Sequence, residues 1–266
     1  MFLSIVIPAY NEAQRLPLSL LRIQTFLAAQ PYLSEVIVVD DGSVDRTVAV
    51  VKEFQLQYRQ AGIELRTIQN PGNQGKGYSV RQGMLQAQGE IAVFTDADLA
   101  TPISETPRLI APIINNQAEV VFGSRGLDPS QIKTHQPWLR EFAGRSFNRF
   151  MRMATGLPFY DTQCGFKAFR RENARSAFLQ QKIYGFGFDV EILFIAQKQG
   201  LRLLEMPVEW SDVAGSKVSI WTGSRAFSDV VQIWWNEVSG NYRSPAVISA
   251  NSATSPETIA GQSWRR

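Results

Sequence analysis

The chain has 266 residues and a formal net charge of +3, with 44% hydrophobic, 19% charged and 11% aromatic residues, which supports a sizeable folded core and excludes global disorder. One cysteine, Cys164, and one histidine, His135, exclude an internal disulfide, a cysteine-based zinc site and a His-rich metal centre. Any metal must therefore sit on carboxylates.

In chain order, short apolar, β-branched runs predict strands at 4–8, 36–40, 63–69, 91–95 and 120–123. Between them, helical spacing predicts helices at 16–29, 46–60, 77–87 and 104–115, with Asp45 capping the second. Strands alternating with helices are the pattern of βαβ units around a mainly parallel sheet flanked by helices, an α/β fold. Past Arg125 the pattern changes. A polar loop at 126–137 precedes a helix at 138–155, then a Gly-rich stretch at 161–169, helices near 172–179 and 188–199, a strand at 202–208 and a helix at 225–238. Residues 244–266 are rich in Ser, Ala, Pro and Thr and predict a disordered tail.

The apolar run from Phe2 to Ile7 stops at Pro8, too short for a signal peptide or for a span of roughly 20 residues. The expectation is a cytoplasmic protein without a transmembrane segment. Charge is unevenly placed: from Lys133 to Lys182 ten Lys and Arg face three acidic residues, a balance of +7, against −4 elsewhere. Such a segment suits a polyanionic ligand or an anionic lipid face; a solvated helix face is the plainer alternative.

Parallel sheets hold ligands beyond the carboxyl ends of their strands. Strand 1 ends in Pro8-Ala9-Tyr10-Asn11-Glu12, a ring and a carboxylate. Strand 2 ends in Asp40-Asp41-Gly42-Ser43, which also reads as ordinary turn chemistry. Strand 4 ends in Asp96-Ala97-Asp98, whose carboxylates point the same way on an extended chain. That pair suits Mg²⁺ or Mn²⁺, with water and substrate phosphates completing the shell. Gly72-Asn73-Gln74-Gly75-Lys76-Gly77 opens a helix, and its amides are candidates for an anion. It lacks both the P-loop ending and the third dinucleotide-fold glycine, which argues against a nucleoside triphosphatase or a dehydrogenase.

Ser4-Ile5-Val6-Ile7-Pro8-Ala9-Tyr10-Asn11-Glu12, Val38-Val39-Asp40-Asp41-Gly42-Ser43 and Asp96-Ala97-Asp98, in that order, resemble the nucleotide-sugar domain of family 2 glycosyltransferases, which has the Rossmann-like GT-A fold. Asp161-Thr162-Gln163-Cys164-Gly165-Phe166-Lys167, Gly185-Phe186-Gly187-Phe188-Asp189-Val190-Glu191, and Pro207-Val208-Glu209-Trp210 leading to Gly215-Ser216-Lys217 look like its dolichyl-phosphate glucosyltransferase branch. The resemblance covers roughly residues 1–240. It implies a single catalytic domain over 1–243, with a nucleotide-sugar half at 1–125 and an acceptor half at 126–243.

By that resemblance, Pro8, Tyr10, Glu12 and Asp41 match positions that hold the nucleobase and ribose. Asp96 and Asp98 match the metal and diphosphate motif, Asp98 as the direct ligand. Arg125, Arg145 and Lys217 match basic positions facing the diphosphate or the acceptor phosphate. Related mannosyltransferases carry a glutamine two residues beyond the last Asp, where this chain has Ala100. The implied activity is inverting transfer of a hexose, glucose from UDP-glucose, to a polyprenyl phosphate, by a metal-dependent enzyme peripherally attached to the cytoplasmic face of a membrane. No nucleic-acid partner is expected.

Asp189 is read as a base in members that glycosylate hydroxyls, or as a group that orients the acceptor or a basic partner. Two other readings stay open: a transferase acting on a saccharide or glycolipid hydroxyl, and a non-catalytic nucleotide- or membrane-binding module. Glu191 reads equally well as a solvated helix residue, Cys164 as a packed side chain and His135 as a loop residue. The 138–155 helix and the 221–235 region offer rings and Arg to a lipid surface, with Phe142, Phe150 and Trp234 more readily read as core.

Overall fold

Along the first strand, β1 (Leu3–Ala9), Leu3, Ile5 and Ile7 pack on one side of a sheet and Val6 on the other, and all four are fully buried. Successive side chains on a strand face opposite ways, so a strand covered on both faces is apolar throughout instead of alternating. The computed structural model describes residues 1–128, 130, 132–134, 151–152, 154–212 and 220–242. The predicted 138–155 helix lies largely outside them, as do His135, Phe142, Arg145, Phe150, Lys217 and the 244–266 tail.

β1 pairs in parallel with β2 (Ser34–Asp40) and with β4 (Ile91–Thr95), and β2 pairs in parallel with β3 (Glu64–Gln69). The connecting helices are α1 (Leu16–Ala28), α2 (Thr47–Gln60) and α3 (Lys76–Gln86), each within one or two residues of its predicted bounds. Asp45 lies one residue ahead of the α2 cap position, and its Oδ1 accepts the Thr47 amide at 2.9 Å. The helix predicted at 104–115 splits into a 3₁₀ turn, Ile103–Glu105, and α4 (Thr106–Ile114). A proline in its first turn sets that restart, because proline's fixed φ and missing amide suit the first positions of a helix.

The second half continues with β5 (Val120–Ser124), β6 (Ile132–Thr134), β7 (Phe166–Arg170), α5 (Arg171–Gln180), α6 (Phe188–Lys198), β8 (Leu203–Pro207), β9 (Trp210–Ser211) and α7 (Ile220–Val238). The seven-stranded sheet has the order β3-β2-β1-β4-β7-β5-β8, and β6 and β9 form a small separate pair. β7 runs antiparallel to both β4 and β5, so a strand from late in the chain sits between two from its first half.

β7 was not anticipated; its residues belong to the predicted Gly-rich stretch. The strand is buried on both faces and so lacks alternation, and Lys167 interrupts its apolar run. The last helix begins at Ile220, five residues ahead of the predicted start. α1, α2 and α4 supply the core on one face of the sheet; α3, α5, α6 and α7 supply it on the other.

Candidate functional site

Strand order reverses between β1 and β4, since the chain leaves β1 toward β2 and β3 and returns to add β4 on the opposite side. In open α/β sheets the crevice at such a switch point, beyond the carboxyl ends, is where ligands bind. The segments leaving it are Pro8-Ala9-Tyr10-Asn11-Glu12 and Asp96-Ala97-Asp98, two of the three predicted strand ends. Pro8 is half-buried at the end of β1, and Tyr10 is 38% exposed at this edge. Glu12 is buried and holds Arg15 through two contacts, to Nη2 at 2.5 Å and to Nε at 2.7 Å.

Asp41 follows the end of the neighbouring strand, β2. Its Oδ1 accepts Asn70 Nδ2 at 2.7 Å and the Gln74 amide at 3.0 Å, and its Oδ2 accepts the Gly75 amide at 2.8 Å. Gly42 follows at φ +73°, and a Cβ there would lie 2.6 Å from Gly72 Cα, so the two turns touch backbone to backbone. The amides of Gly77 and Tyr78 both point to Tyr184 O, at 2.8 and 3.3 Å. This corrects the expectation for the Gly72–Gly77 loop: the amides of Gln74, Gly75, Gly77 and Tyr78 bond within the protein, and what the loop presents is the side chain of Lys76. The first aspartate of the pair, Asp40, bonds the Ser43 amide through Oδ2, while its Oδ1 is buried without a partner.

Lys76 opens α3 and reaches Asp96, its Nζ lying 2.6 Å from Oδ1. Burial alone would lower the ammonium's pKa, but the charges of Asp96, Asp189 and Asp98 hold it above its ordinary value. Asp98 lies near Arg15, with Nη1 3.6 Å from its Oδ2, and accepts the Ala100 amide at 3.1 Å. Burial, with the adjacent charge of Asp96, pushes Asp98 above the usual carboxylate range. Sheet register adds a residue that the sequence did not single out. Thr95 pairs with Phe166, which brings Gly165 against Asp96, and a Cβ there would fall 2.1 Å from Asp96 Oδ2.

A buried carboxylate whose proton affinity is raised by burial and by a neighbouring charge, as Asp98 is beside Asp96, belongs to a donor set that a cation relieves. Hard carboxylate oxygens fit Mg²⁺ or Mn²⁺, which take one or two protein carboxylates and leave other positions to substrate phosphates. Among the described residues no group of three or more His, Cys, Asp and Glu side chains is placed to hold a metal ion. Asp96 and Asp98 are the carboxylate pair that the Asp96-Ala97-Asp98 segment brings to this edge.

Asp189, whose charge acts on Lys76 together with that of Asp96, lies in the first turn of α6. It is buried and pairs with Lys167, whose Nζ also donates to Cys164 O at 2.7 Å and sits 5.2 Å from the Phe94 ring centre. Burial pushes Asp189 upward while Lys167 and Lys76 oppose the shift. Neither lysine had been assigned a role; the signal for Lys76 was its place in a Gly-rich helix opening, and for Lys167 its charge in an apolar run.

Arg125 leaves β5 and forks onto the buried Asp161, with Nε to Oδ2 at 2.6 Å and Nη2 to Oδ1 at 2.9 Å, and its guanidinium carbon is 5.5 Å from the Trp210 ring centre. Burial would raise Asp161, but the charge and hydrogen bonds of Arg125 hold it below the usual range. Glu191 corrects the solvated reading. It is fully buried, accepts the amides of Lys182 at 3.0 Å and Ile183 at 2.8 Å, and takes the Tyr242 hydroxyl at 2.6 Å. Its task is to hold the turn before α6. Cys164 is buried and packed, as expected. Arg145 and Lys217 lie outside the described residues.

Comparison with known proteins bears on the family and the fold. Residues 4–178 match the model of glycosyl transferase family 2. A dolichyl-phosphate beta-glucosyltransferase of Trichomonas vaginalis is 35% identical over 228 residues, covering 82% of this chain and 68% of the relative. That of Drosophila melanogaster is 35% identical over 254 residues, covering 91% and 77%. Among solved structures, glucosyl-3-phosphoglycerate synthase from Mycobacterium tuberculosis with Mn²⁺, UDP and glucosyl-3-phosphoglycerate superposes with a TM-score of 0.62 at 18% identity, covering 88% of this chain and 80% of that one. The fold is thus GT-A-like, with seven mostly parallel strands between helices. The chain belongs to glycosyl transferase family 2 and is a glycosyltransferase.

Proposed function

We propose that the protein moves glucose from UDP-glucose to a polyprenyl phosphate, with inversion, giving a β-linked polyprenyl-phosphate sugar. The observation that carries this reading is the cluster at the β1/β4 switch point, where Asp96 pairs with Lys76 and Asp98 lies near Arg15, which Glu12 holds. It is supported by relatives named dolichyl-phosphate beta-glucosyltransferase at 31–36% identity over most of the chain.

In this reading Pro8, Tyr10, Glu12 and Asp41 form the nucleoside site. Asp96 and Asp98 would hold Mg²⁺ or Mn²⁺, which would supply positive charge for the diphosphate when bound. Lys76, Arg125, Arg145 and Lys217 add fixed positive charge for the diphosphate and the acceptor phosphate. A phosphate monoester has a second pKa near 6, so at neutral pH its oxygen is already a nucleophile and needs no protein base. That oxygen bonds to the anomeric carbon as the bond to UDP breaks on the opposite face. Asp189, engaged by Lys167, serves as a positioning group. Residues 1–125 bind the donor and 126–243 the acceptor. Attachment is peripheral, on the cytoplasmic face; among the described residues no helix is long and apolar enough to cross a membrane.

The test is to supply purified protein with Mg²⁺ or Mn²⁺, UDP-glucose and a short polyprenyl phosphate, and to follow UDP release and glycolipid formation. Failure to form glycolipid with any common nucleotide sugar overturns the proposal. Asp189→Asn separates it from transfer to a hydroxyl: appreciable activity should remain with a phosphate acceptor, whereas a hydroxyl acceptor that needs a base would lose nearly all of it.

A further inference from the structure

Val231, Trp234, Trp235 and Val238 are 58%, 53%, 61% and 61% exposed. They fall at i, i+3, i+4 and i+7 of α7, which makes one continuous stripe on its outward side. The opposite side is the packed one, with Val230, Ile233 and Asn236 buried. Trp234 is therefore a surface residue, contrary to its reading as core.

We propose that this stripe docks the protein on the interfacial zone of a lipid bilayer, by partition of its rings and not by charge. The inference rests on the lipid-acceptor reading above, and three observations point to the occupant. The first is chemistry: Trp combines a large apolar body with an indole N–H that suits the boundary between acyl chains and headgroups. The second is charge. Residues 228–238 contain no Lys or Arg, and their two acids are engaged, Asp229 by the Gly187 amide at 2.9 Å and Glu237 by Lys198. A polyanion has nothing to bind here. The third is area. At ordinary side-chain sizes these exposures leave roughly 400 Å² of apolar surface, about half of the ~800 Å² per partner that a stable protein–protein interface covers.

The stripe is also coupled to the site. Asp229 holds Gly187, the residue before α6, and Tyr242, beyond the end of α7, holds Glu191. Both anchors lie within two residues of Asp189. Docking through α7 thereby sets the acceptor side of the crevice at a fixed height above the lipid, where a membrane-borne phosphate arrives.

The experiment is co-sedimentation of the full chain with phosphatidylcholine vesicles at 0.1 and 0.5 M NaCl, for the wild type, Trp234→Ser, Trp235→Ser and the double variant, with thermal melts to confirm folding. Val231→Ser/Val238→Ser serves as a second probe of the same stripe. Each Trp substitution should weaken vesicle binding about tenfold, equally at both salt concentrations. Turnover of a water-soluble, short-chain polyprenyl phosphate should stay unchanged, while turnover of a long-chain acceptor embedded in vesicles falls. Vesicle binding untouched by the double variant, or abolished by salt, overturns the proposal. So does the absence of vesicle binding in the wild type, which would mean that the chain's own 243–266 segment or another partner covers the stripe, and so does a lipid-free dimer that the double variant dissociates. If vesicle binding behaves as expected but no lipid phosphate is ever glycosylated, the docking surface stands and the acceptor reading fails.

Discussion

Lys76 Nζ lies 2.6 Å from Asp96 Oδ1, with the charges of Asp189 and Asp98 also acting on it. This ammonium thus shares the neutralisation of three carboxylates with Arg15, near Asp98, and Lys167, on Asp189. Lys76→Met should leave the fold intact and lower UDP-glucose turnover about 10²-fold, the usual effect of removing one preorganised donor from developing charge. Steady-state UDP release beside a thermal melt checks both halves of that expectation.

Asp98→Ala should remove the metal dependence of donor binding. Calorimetry of the wild type with UDP should give tighter binding with Mn²⁺ than with a chelator present. In the variant the two titrations should coincide, whereas a carboxylate that merely shapes the turn to Ala100 would leave the difference in place.

Arg125 and Asp161 form a fork in which the carboxylate is buried and the guanidinium partly exposed. Arg125→Met strands that carboxylate and should cost about 3 kcal/mol in urea unfolding at pH 7. The sign of the pH dependence follows from Asp161 being held below the usual range. Its stabilisation is complete above the unfolded-state value, about 3.9, and is lost as pH falls through the folded value. The stability gap between wild type and Asp161→Asn should therefore narrow in acid.

Glu191 is a structural carboxylate. In Glu191→Gln the amide nitrogen replaces one acceptor oxygen, so one of the two backbone amides at Lys182 and Ile183 loses its partner. The expected cost is about 1–3 kcal/mol of stability, read by urea denaturation, with UDP affinity nearly unchanged.

Burial pushes the Cys164 thiol up to about 11. At pH 8 iodoacetamide should leave the native protein unmodified and add one carbamidomethyl group in urea, as intact mass will report.

The features legible in the sequence were local. The run Ser4-Ile5-Val6-Ile7 before Pro8 marked a strand buried on both faces, and Asp96-Ala97-Asp98 after another marked a carboxylate pair at a strand's ligand end. Helix bounds came within one or two residues for α1, α2 and α3 because their apolar spacing and the turns around them are contained in a single stretch of chain. The roles of Gly165, Lys167 and Lys76 were not legible, since each depends on a partner distant in sequence. Lys167 meets Asp189 only because β7 enters the sheet beside β4, with Phe94 opposite Lys167.

By itself, then, the sequence determined the α/β class, the family and the strand-end aspartates, because periodicity and short motifs are properties of neighbours along the chain. Only the tertiary structure decided which charge meets which: Lys76 on Asp96, Arg125 on Asp161, Glu191 buried under Tyr242, and the Trp pair of α7 turned to the outside. Insertion of one antiparallel strand between β4 and β5 brings Gly165 against Asp96 and Lys167 into reach of Asp189, and Coulomb and hydrogen-bond energies depend on distance in space, which no spacing along the chain records.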